Sequence, residues 1–356
     1  MMQVFHVRNV HAALPIGLYH LINDGQQQES RNGPVLVYPT PVTTVYTSPT
    51  ERVIFWPERD ANPFFHLYEG LWMLQGRNDV VPLSHYVKNM ENYSDNGINL
   101  YGAYGYRWRQ AFGYDQLQVI VERLKKNPTD RRCVLSMWDP QQDLIQADSS
   151  KDIPCNLTVT FQLNHGSLNM VVFNRSNDIV WGAYGANAVH FSMLLEYVAG
   201  CIGCDVGTYT QISVNYHMYT KSLKQVESIA SAPRAVEGCH RIGHQLNPYR
   251  GDALLIRKMD LRDPKLFLSL VSEVIFEADT GFMRSYTRVT ADPFLNMVYT
   301  MLRAHHIYKN TARPENYQRA LDYLATSDVP KNTDWLRAGT EWLLRRKSAW
   351  EKAMKE

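Results

Sequence analysis

The chain lacks a long apolar run and an excess of charge of either sign. Its longest apolar segments fall well short of the about 18 residues that a membrane helix needs, and the N-terminus shows no signal-peptide pattern. The 356 residues carry a net charge of only +2 and no long basic run. This disfavours a nucleic-acid polymer as partner and leaves a small anion possible. We therefore expect a globular protein that acts in the cytoplasm.

Cysteine is also scarce. The chain has five, an odd number, at Cys133, Cys155, Cys201, Cys204 and Cys239, which favours free thiols in a reducing compartment over a disulfide framework. Cys201 and Cys204 form a C-x-x-C pair, which could be a redox pair or half a zinc site. The sequence has no second such pair and no histidines at zinc spacing. Buried small residues are therefore the favoured interpretation, and no metal is expected.

One of these thiols, Cys155, lies where a nucleophile would be useful. It follows Pro154 and precedes an alternating segment, which predicts a position at the mouth of a sheet. Arg131 and Arg132 begin the preceding strand, and Arg175 follows on the next one. Guanidinium groups bind anions and lower a cysteine pKa from its free value of about 8.5. We predict a stabilised thiolate and an anionic substrate.

Periodicity predicts an α+β protein with antiparallel strands at its centre. The predicted elements are, in order, irregular and β-rich structure in 1–50, a helix from Asn62 to Gly76, a helix in 115–126, a strand in 132–138, a hairpin of 157–163 and 168–173, a helix in 187–199, a strand in 206–214, and helices from Tyr216 onward. Glu69 lies amid the aromatic residues of the first helix. A buried glutamate is costly unless it is paired or protonated, so Glu69 either serves a site or points to solvent.

Together these residues resemble the thymidylate synthase family, which includes the pyrimidine-nucleotide hydroxymethylases. The resemblance covers roughly residues 60–225 and depends on the ordered motifs Glu69-Gly70-Leu71-Trp72, Tyr101 to Trp108, Arg131-Arg132, Trp138-Asp139-Pro140, Pro154-Cys155-Asn156, Asn174-Arg175-Ser176, Asp178, Gly182, Asn187 and His217-x-Tyr219. It implies a thymidylate-synthase-like α+β fold with a mostly antiparallel mixed sheet flanked by helices. Residues 1–230 would form the catalytic core, and residues 231–356 a mainly helical region packed on it.

The resemblance also implies roles for individual residues. Cys155 would attack C6 of a pyrimidine nucleoside monophosphate, and 5,10-methylenetetrahydrofolate would supply one carbon as co-substrate. The implied catalytic residues are Cys155, Glu69, Asn187, Tyr104, Asp178 and Asn156. The implied phosphate and sugar contacts are Arg31, Arg131, Arg132, Arg175, Ser176, His217 and Tyr219, and the implied folate contacts are Trp72 and Asp178. Arg131 and Arg132 would come from the neighbouring subunit of a homodimer.

Departures from the family pattern bear on the product. Asn156 replaces the histidine usual in the synthases, and the C-terminal segment 350–356 is charged where the synthases have an apolar tail that excludes water. We therefore predict hydroxymethyl transfer, in which water reaches the activated carbon. Reductive methylation, as in a thymidylate synthase, and a non-catalytic nucleotide-binding homologue are the alternatives. Asn187 suits the N3–H and O4 of uracil, which favours dUMP, but an amide can flip to meet cytosine, so dCMP and CMP stay open.

Overall fold

The computed structural model describes residues 2–145, 150–235, 247–251, 253–282 and 291–355. The strands are β1 (Gln3–Val7), β2 (Gln26–Gln28), β3 (Val35–Val37), β4 (Val42–Tyr46), β5 (Val134–Ser136), β6 (Asn156–Asn164), β7 (Ser167–Asp178) and β8 (Asp205–Tyr219). The α-helices are α1 (Val10–Asp24), α2 (Pro63–Leu74), α3 (Val81–Ser84), α4 (Tyr104–Arg109), α5 (Gln116–Lys126), α6 (Asn187–Ile202), α7 (Thr220–Val226), α8 (Pro248–Gly251), α9 (Pro264–Thr280), α10 (Pro293–Asn310), α11 (Glu315–Thr326) and α12 (Asp334–Ala353). A π-helix spans Ile179–Ala186, and 3-10 helices span Met90–Tyr93 and Glu227–Ala235.

The strands form one mixed sheet with the order β1-β4-β8-β7-β6-β5, in which β3 also pairs with β8 and β2 with β3. The β1–β4 and β7–β8 pairs are parallel. The other pairs are antiparallel. The predicted mostly antiparallel mixed sheet with flanking helices is therefore confirmed.

The β6–β7 hairpin has a regular turn and an irregular open end. Its two-residue turn places His165 and Gly166 at positive φ, 48° and 80°, as tight hairpins require. At the open end Asn156 pairs with Asn174 while Thr158 pairs with Phe173, so β6 carries one extra residue there. This bulge changes which residues face inward. As a result Asn156, next to the thiol, is fully buried.

Helix α6 brings strands β7 and β8 and helix α2 together. The chain leaves β7 at Asp178, passes through the π-helix and α6, and returns as β8, whose His217 pairs with Asp178. Helix α6 is buried along almost its whole length and packs on α2, α5 and β8. Near the first turn of α6, the side chains of α2 therefore approach the start of β6 and the end of β7.

The N-terminal region differs from the prediction, because residues 1–50 contain a long helix, α1, as well as strands. Asn9 caps this helix by accepting a hydrogen bond from the Ala12 N–H at 2.9 Å. Pro15 lies inside it and cannot bond the carbonyl of His11. That carbonyl instead accepts the Trp56 indole N–H at 2.8 Å. A tertiary contact thus compensates for the proline that obscured the helix in the sequence.

Two predicted boundaries near the site were also wrong. Helix α6 continues beyond Ala199 to Ile202 and ends at Gly203, whose φ is 77°. Strand β8 continues to Tyr219, so the helix predicted from Tyr216 begins at Thr220. Pairing with β7 keeps this segment extended. Because side chains alternate along a strand, His217 and Tyr219 share one face.

The C-terminal helices pack beside α2. Helices α9, α10 and α12 all contact α2, and Trp342 of α12 meets Phe64 of α2 edge to face. Arg346 donates to Asp60 at 2.5 Å, which ties α12 to the loop before α2. The helical extension is confirmed, whereas the domain boundary at residue 230 stays a prediction. Every helix in the described part of the chain is too short or too polar to cross a lipid bilayer.

The face of the sheet away from the helices carries exposed apolar side chains. Val134 of β5, Phe173 of β7 and Val214 of β8 are 47%, 37% and 57% exposed. Their chain neighbours Leu135, Val172 and Ser213 are buried on the opposite face. The open face is therefore apolar across three strands.

Candidate active site

Arg175 holds the backbone that carries the predicted nucleophile. Its main-chain N–H donates to the Cys155 carbonyl at 2.9 Å. Its guanidinium donates to the Pro154 carbonyl at 2.9 Å and to the Ile153 carbonyl at 3.0 Å. Three consecutive carbonyls thus depend on one residue of the neighbouring strand. Arg175 fixes the position of the thiol as well as supplying charge.

The electrostatic environment of Cys155 differs from the prediction. Burial raises the pKa of the Cys155 thiol above its ordinary value, and Asp152 raises it further, while Arg175 and Arg31 lower it. Desolvation is the largest of these effects, so the two cations do not produce a stabilised thiolate. Exposure cannot be read from the sequence, which is why the prediction had the wrong sign. In this chain the resting group is the neutral thiol.

Three other cysteines lie in the described part of the chain. Cys133, Cys201 and Cys204 are free thiols, as Cys155 is. Burial raises the pKa of Cys201 to about 11, as expected for a packed small residue. Cys239 lies outside the described residues. Those residues also contain no cluster of His, Cys, Asp and Glu side chains suited to a metal ion.

Three of the predicted phosphate-binding arginines, Arg31, Arg131 and Arg132, lie outside β7. Of these three, the structure brings only Arg31 close to the thiol. Arg31 lies in the loop between β2 and β3, where its guanidinium is 3.4 Å from the Ser150 carbonyl. Arg132 is paired with Asp130, and Arg131 is exposed beside it. Both precede β5, whose Val134 pairs with Thr160, five positions along β6 from Cys155. At about 3.3 Å per residue this is about 16 Å, so the arginine pair cannot serve the Cys155 of its own chain.

Glu69 faces the site and not solvent. Its side chain is 15% exposed, and its Oε2 lies 3.4 Å from His190 Nε2 on α6. Burial raises the pKa of Glu69 to about 8, with a further increase from Asp152. Burial lowers the pKa of His190 to about 3. Near neutral pH this contact therefore joins two uncharged groups, although its length is that of an ion pair.

Asp152 and Tyr104 complete the surroundings of the thiol. Asp152 Oδ2 accepts the Gly102 N–H at 2.8 Å, and burial raises the pKa of this carboxyl. Tyr104 lies against the backbone of Cys155 and Asn156, and burial followed by the proximity of Cys155 raises its pKa. The structure thus places Tyr104 near the thiol, and its catalytic role stays a prediction. Asp152 and His190 were not predicted as site residues, because neither belongs to a motif that signals such a role.

A chain of side-chain amides passes behind the thiol. Asn156 Nδ2 donates to Asn187 Oδ1 at 3.2 Å, and Asn187 Nδ2 donates to Asn177 Oδ1 at 3.0 Å. Asn177 in turn donates to Ser213 Oγ at 2.9 Å. Asn156 and Asn187 were predicted and lie together. Asn177 was not predicted, because an asparagine near the end of a strand has no local sequence signature of such a role.

The end of β7 presents further polar groups. Asp178 Oδ1 caps the π-helix by accepting the N–H groups of Val180 and Trp181, each at 2.8 Å. Burial raises the pKa of Asp178, while those backbone donors and His217 oppose the shift. The His217 and Tyr219 rings meet edge to face with centroids 5.6 Å apart. Asp178 of β7 and His217 and Tyr219 of β8 thus form one edge of the site, and Ser176 precedes Asp178 on β7.

Trp72 and Trp181 have different environments. Trp72, predicted as a folate contact, is 2% exposed and donates its indole N–H to Asp79 at 3.0 Å. It is a core residue, and its placement gives a folate contact no support. Trp181, which was not predicted, is 49% exposed beside Asp178. The Arg59 guanidinium lies 4.2 Å from the Trp181 ring centroid and holds one face of that ring.

Four buried side-chain oxygens in this region lack a hydrogen-bond partner among the described residues: Glu69 Oε2, Asn156 Oδ1, Asn174 Oδ1 and Asp178 Oδ2. Each unpaired buried acceptor costs about 1–3 kcal/mol. Such a set is typical of a site that is completed by a ligand carrying N–H or O–H donors. The site therefore suits a polar ligand better than a purely structural role.

Comparison with known proteins agrees with this geometry. The thymidylate synthase family model matches residues 18–240. The chain is 46% identical over 353 residues to a deoxyuridylate hydroxymethyltransferase of Pseudomonas phage M6, which covers 98% of this chain and 96% of that protein. It is 41% identical over 189 residues to a protein of the same name from Bacillus phage SP01, covering 50% and 49% of the two chains.

A solved structure supports the fold. Thymidylate synthase from T4 phage matches with a TM-score of 0.50 and 22% identity, over 61% of this chain and 79% of that one. The chain belongs to the thymidylate synthase family, as the sequence motifs predicted. Within that family, its extensive identity is to proteins named for hydroxymethyl transfer.

Proposed function

We propose that this protein transfers a hydroxymethyl group to C5 of dUMP, with 5,10-methylenetetrahydrofolate as the one-carbon donor. The observation that carries the proposal is the 46% identity, over 98% of the chain, to a deoxyuridylate hydroxymethyltransferase. The overall reaction converts dUMP, methylenetetrahydrofolate and water into 5-hydroxymethyl-dUMP and tetrahydrofolate. We also propose that the enzyme acts in the cytoplasm, where both of these substrates are metabolites.

The residues around Cys155 suit addition of a thiolate to the pyrimidine ring. The sulfur bonds to C6, and the π electron pair of the C5=C6 double bond moves through C5 and C4 towards O4. Asn187 has an N–H that can stabilise the charge on O4. Because the resting thiol is neutral, substrate binding has to accompany loss of its proton. Glu69, with a pKa of about 8, is placed to give and accept protons near neutral pH.

The substrate phosphate would be bound by cations at the rim of the site. Arg175 and Arg31 are both close enough to Cys155 to lower its pKa. A guanidinium binds phosphate with a fork of two hydrogen bonds, and this remote binding energy can orient the ring. Ser176 follows Arg175 on the same strand and would add a hydroxyl. His217 and Tyr219, on one face of β8, would contact the sugar.

Arg131 and Arg132 are proposed to act across the interface of a homodimer. They lie about 16 Å or more along the sheet from Cys155 in their own chain. The apolar open face, with Val134, Phe173 and Val214 exposed, is suited to packing against a second copy. Such packing would cover these apolar side chains and could bring the arginine pair of one subunit to the thiol of the other.

The folate would lie beside the exposed end of the π-helix. Trp181 presents an indole ring that a pterin could stack on. The buried, unpaired Asp178 Oδ2 is an acceptor for the N–H groups of the pterin. This part of the chain would hold the folate, which supplies the one-carbon unit when bound. Trp181 replaces Trp72 as the proposed aromatic contact.

The mass of the product tests the proposal. Purified protein is incubated with methylenetetrahydrofolate and dUMP, dCMP or CMP in turn, and the nucleotide and folate products are identified. We expect hydroxymethyl-dUMP together with tetrahydrofolate. A methyl product together with dihydrofolate would show that the folate supplied a hydride and would assign the protein to the synthases.

Two cysteine variants separate catalysis from binding. Cys155→Ala is expected to abolish turnover and to retain dUMP binding. Cys201→Ser changes another buried thiol and should retain turnover. Turnover by the Cys155→Ala variant at the wild-type rate would contradict a covalent mechanism, whereas nucleotide binding without turnover by both proteins would favour a role in binding alone.

A further inference from the structure

The hydrogen bonds of the amide chain behind the thiol have a fixed direction. A main-chain carbonyl at one end of the chain sets that direction. Gln211 Nε2 donates to the Ala183 carbonyl at 2.8 Å and to Tyr46 Oη at 2.6 Å. The Tyr46 hydroxyl itself donates to the same carbonyl at 3.1 Å. A carbonyl can only accept, so Gln211 has to direct its NH2 group towards Ala183. Its Oε1 therefore faces the opposite way.

This direction passes to the predicted base-binding residue. Asn177 uses both N–H groups, donating to Gln211 Oε1 at 3.3 Å and to Ser213 Oγ at 2.9 Å. The Asn177 oxygen is therefore directed at Asn187, whose NH2 donates to it at 3.0 Å. The Asn187 oxygen is left to accept from Asn156 at 3.2 Å. We call Gln211, Asn177, Asn187 and Asn156 the amide relay.

We propose that Asn177 and Gln211 are positioning residues that select uracil over cytosine by preventing the Asn187 amide from flipping. The inference builds on the proposed function, in which Asn187 contacts the base. After its relay bonds, Asn187 retains one N–H and one acceptor lone pair. Uracil offers N3–H and O4, which need an acceptor and a donor. Cytosine offers the reverse order, so it would need the flipped amide.

A flip is disfavoured at the Asn177 end of Asn187. The flipped oxygen would face Asn177 Oδ1, and Asn177 cannot turn to offer a donor because both of its N–H groups are engaged, so a hydrogen bond would become a contact between two acceptors. Water cannot readily compensate, because Asn177 and Gln211 are only 2% and 1% exposed. In this low-polarity setting an unmet hydrogen bond is costly.

Gly182 shows that the fold leaves room for this contact. A β-carbon at residue 182 would lie 2.7 Å from Asn177 Oδ1 and 3.1 Å from Asn187 Nδ2. The first distance is shorter than folded proteins tolerate, so any side chain there would separate the two amides. A glycine in the π-helix is therefore needed for the Asn177–Asn187 hydrogen bond.

The test measures how strongly the protein prefers dUMP to dCMP in binding. Calorimetry without folate gives both dissociation constants for the full chain, and the ratio of catalytic efficiencies gives a second value. Asn177→Leu removes the acceptor that holds Asn187 and should lower the dUMP preference about tenfold, the effect of about one hydrogen bond. Asn177→Asp keeps an oxygen facing Asn187. Burial favours its protonated form, whose O–H can donate to Gln211, so this variant should keep the preference within about twofold.

A matched control distinguishes positioning from stability. Asn316 is another buried asparagine, which donates to the Tyr308 carbonyl at 2.9 Å on the C-terminal helices. Asn316→Leu should lower the melting temperature and leave the dUMP preference unchanged. If Asn177→Leu does not fold, Gln211→Met, which removes the link to Ala183, should also lower the preference.

The outcomes separate this inference from the proposed function. A folded Asn177→Leu protein that binds dUMP and dCMP with the wild-type ratio would overturn the amide relay as a selector. A wild type that prefers dCMP would do the same. If the variants change the binding ratio as expected but no hydroxymethylated product forms with dUMP, the relay stands and the proposed reaction fails.

Discussion

Replacing Glu69 with glutamine should stabilise the protein while abolishing turnover. The pKa of Glu69 is raised from 4.5 to about 8, mainly by burial. A raised carboxyl pKa means that the folded state resists ionisation, so its contribution to stability is fully present below pH 4.5 and is lost as the pH rises through 8. Glutamine has no such ionisation. The variant should therefore lack this pH dependence.

The size of the effect follows from the two pKa values. At pH 5 the carboxyl costs about 1 kcal/mol relative to a group that cannot ionise, at pH 7 about 3 kcal/mol, and at pH 8 about 4 kcal/mol. The free energy of unfolding of the wild type should thus fall by about 3 kcal/mol more than that of Glu69→Gln between pH 5 and pH 8. The side chain is 15% exposed, so solvent screening reduces this only modestly.

Urea denaturation of both proteins at pH 5, 7 and 8 measures the difference. Glu122→Gln, on the exposed surface of α5, is the control and should follow the wild type. Product formation is measured on the same samples. Parallel stability curves for the wild type and Glu69→Gln would refute the conclusion that Glu69 is buried as an uncharged acid.

Three further predictions concern Arg175, the dimer and the C-terminal helix α12. Arg175→Met removes the guanidinium that lowers the Cys155 pKa. Iodoacetamide should therefore label Cys155 at pH 8 up to about tenfold more slowly in this variant, as measured by mass spectrometry. Equal labelling rates would mean that Arg175 does not lower the Cys155 pKa. The Cys155→Ala protein and the Arg131→Ala/Arg132→Ala protein should each be inactive alone. After equimolar mixing and joint refolding they should regain about one quarter of wild-type activity, because half the dimers are mixed and each mixed dimer has one intact site. No recovery of activity would contradict shared sites. Asp60→Asn weakens the contacts with Arg345 and Arg346. It should lower the free energy of unfolding, measured in urea, by about 1 kcal/mol and leave turnover unchanged. A loss of turnover in the folded variant would place Asp60 in the site.

The parts of the structure that follow from local patterns were predicted from the sequence. The β6–β7 hairpin was predicted because alternation and a two-residue turn are both visible in the chain. Cys155 and Asn187 were predicted as partners of one site through the family motifs, and the structure brings them together through Asn156. These are short-range or motif-borne signals.

The remaining features depend on long-range contacts. Helix α1 was missed because the contact between Trp56 and the His11 carbonyl, which offsets Pro15, joins residues far apart in sequence. The direction of the Cys155 pKa shift depends on burial, which no local pattern reports. Asn177 gains its role only because β7 and β8 pair in parallel and bring Gln211 beside it.

The close approach at Gly182 limits the order in which this region can change in evolution. A β-carbon at residue 182 would overlap Asn177 Oδ1, so position 177 has to lose its amide before position 182 can gain a side chain. The opposite order passes through an intermediate with a steric clash. Descendants of this sequence should therefore keep the glycine for as long as they keep the asparagine, and the two positions should covary.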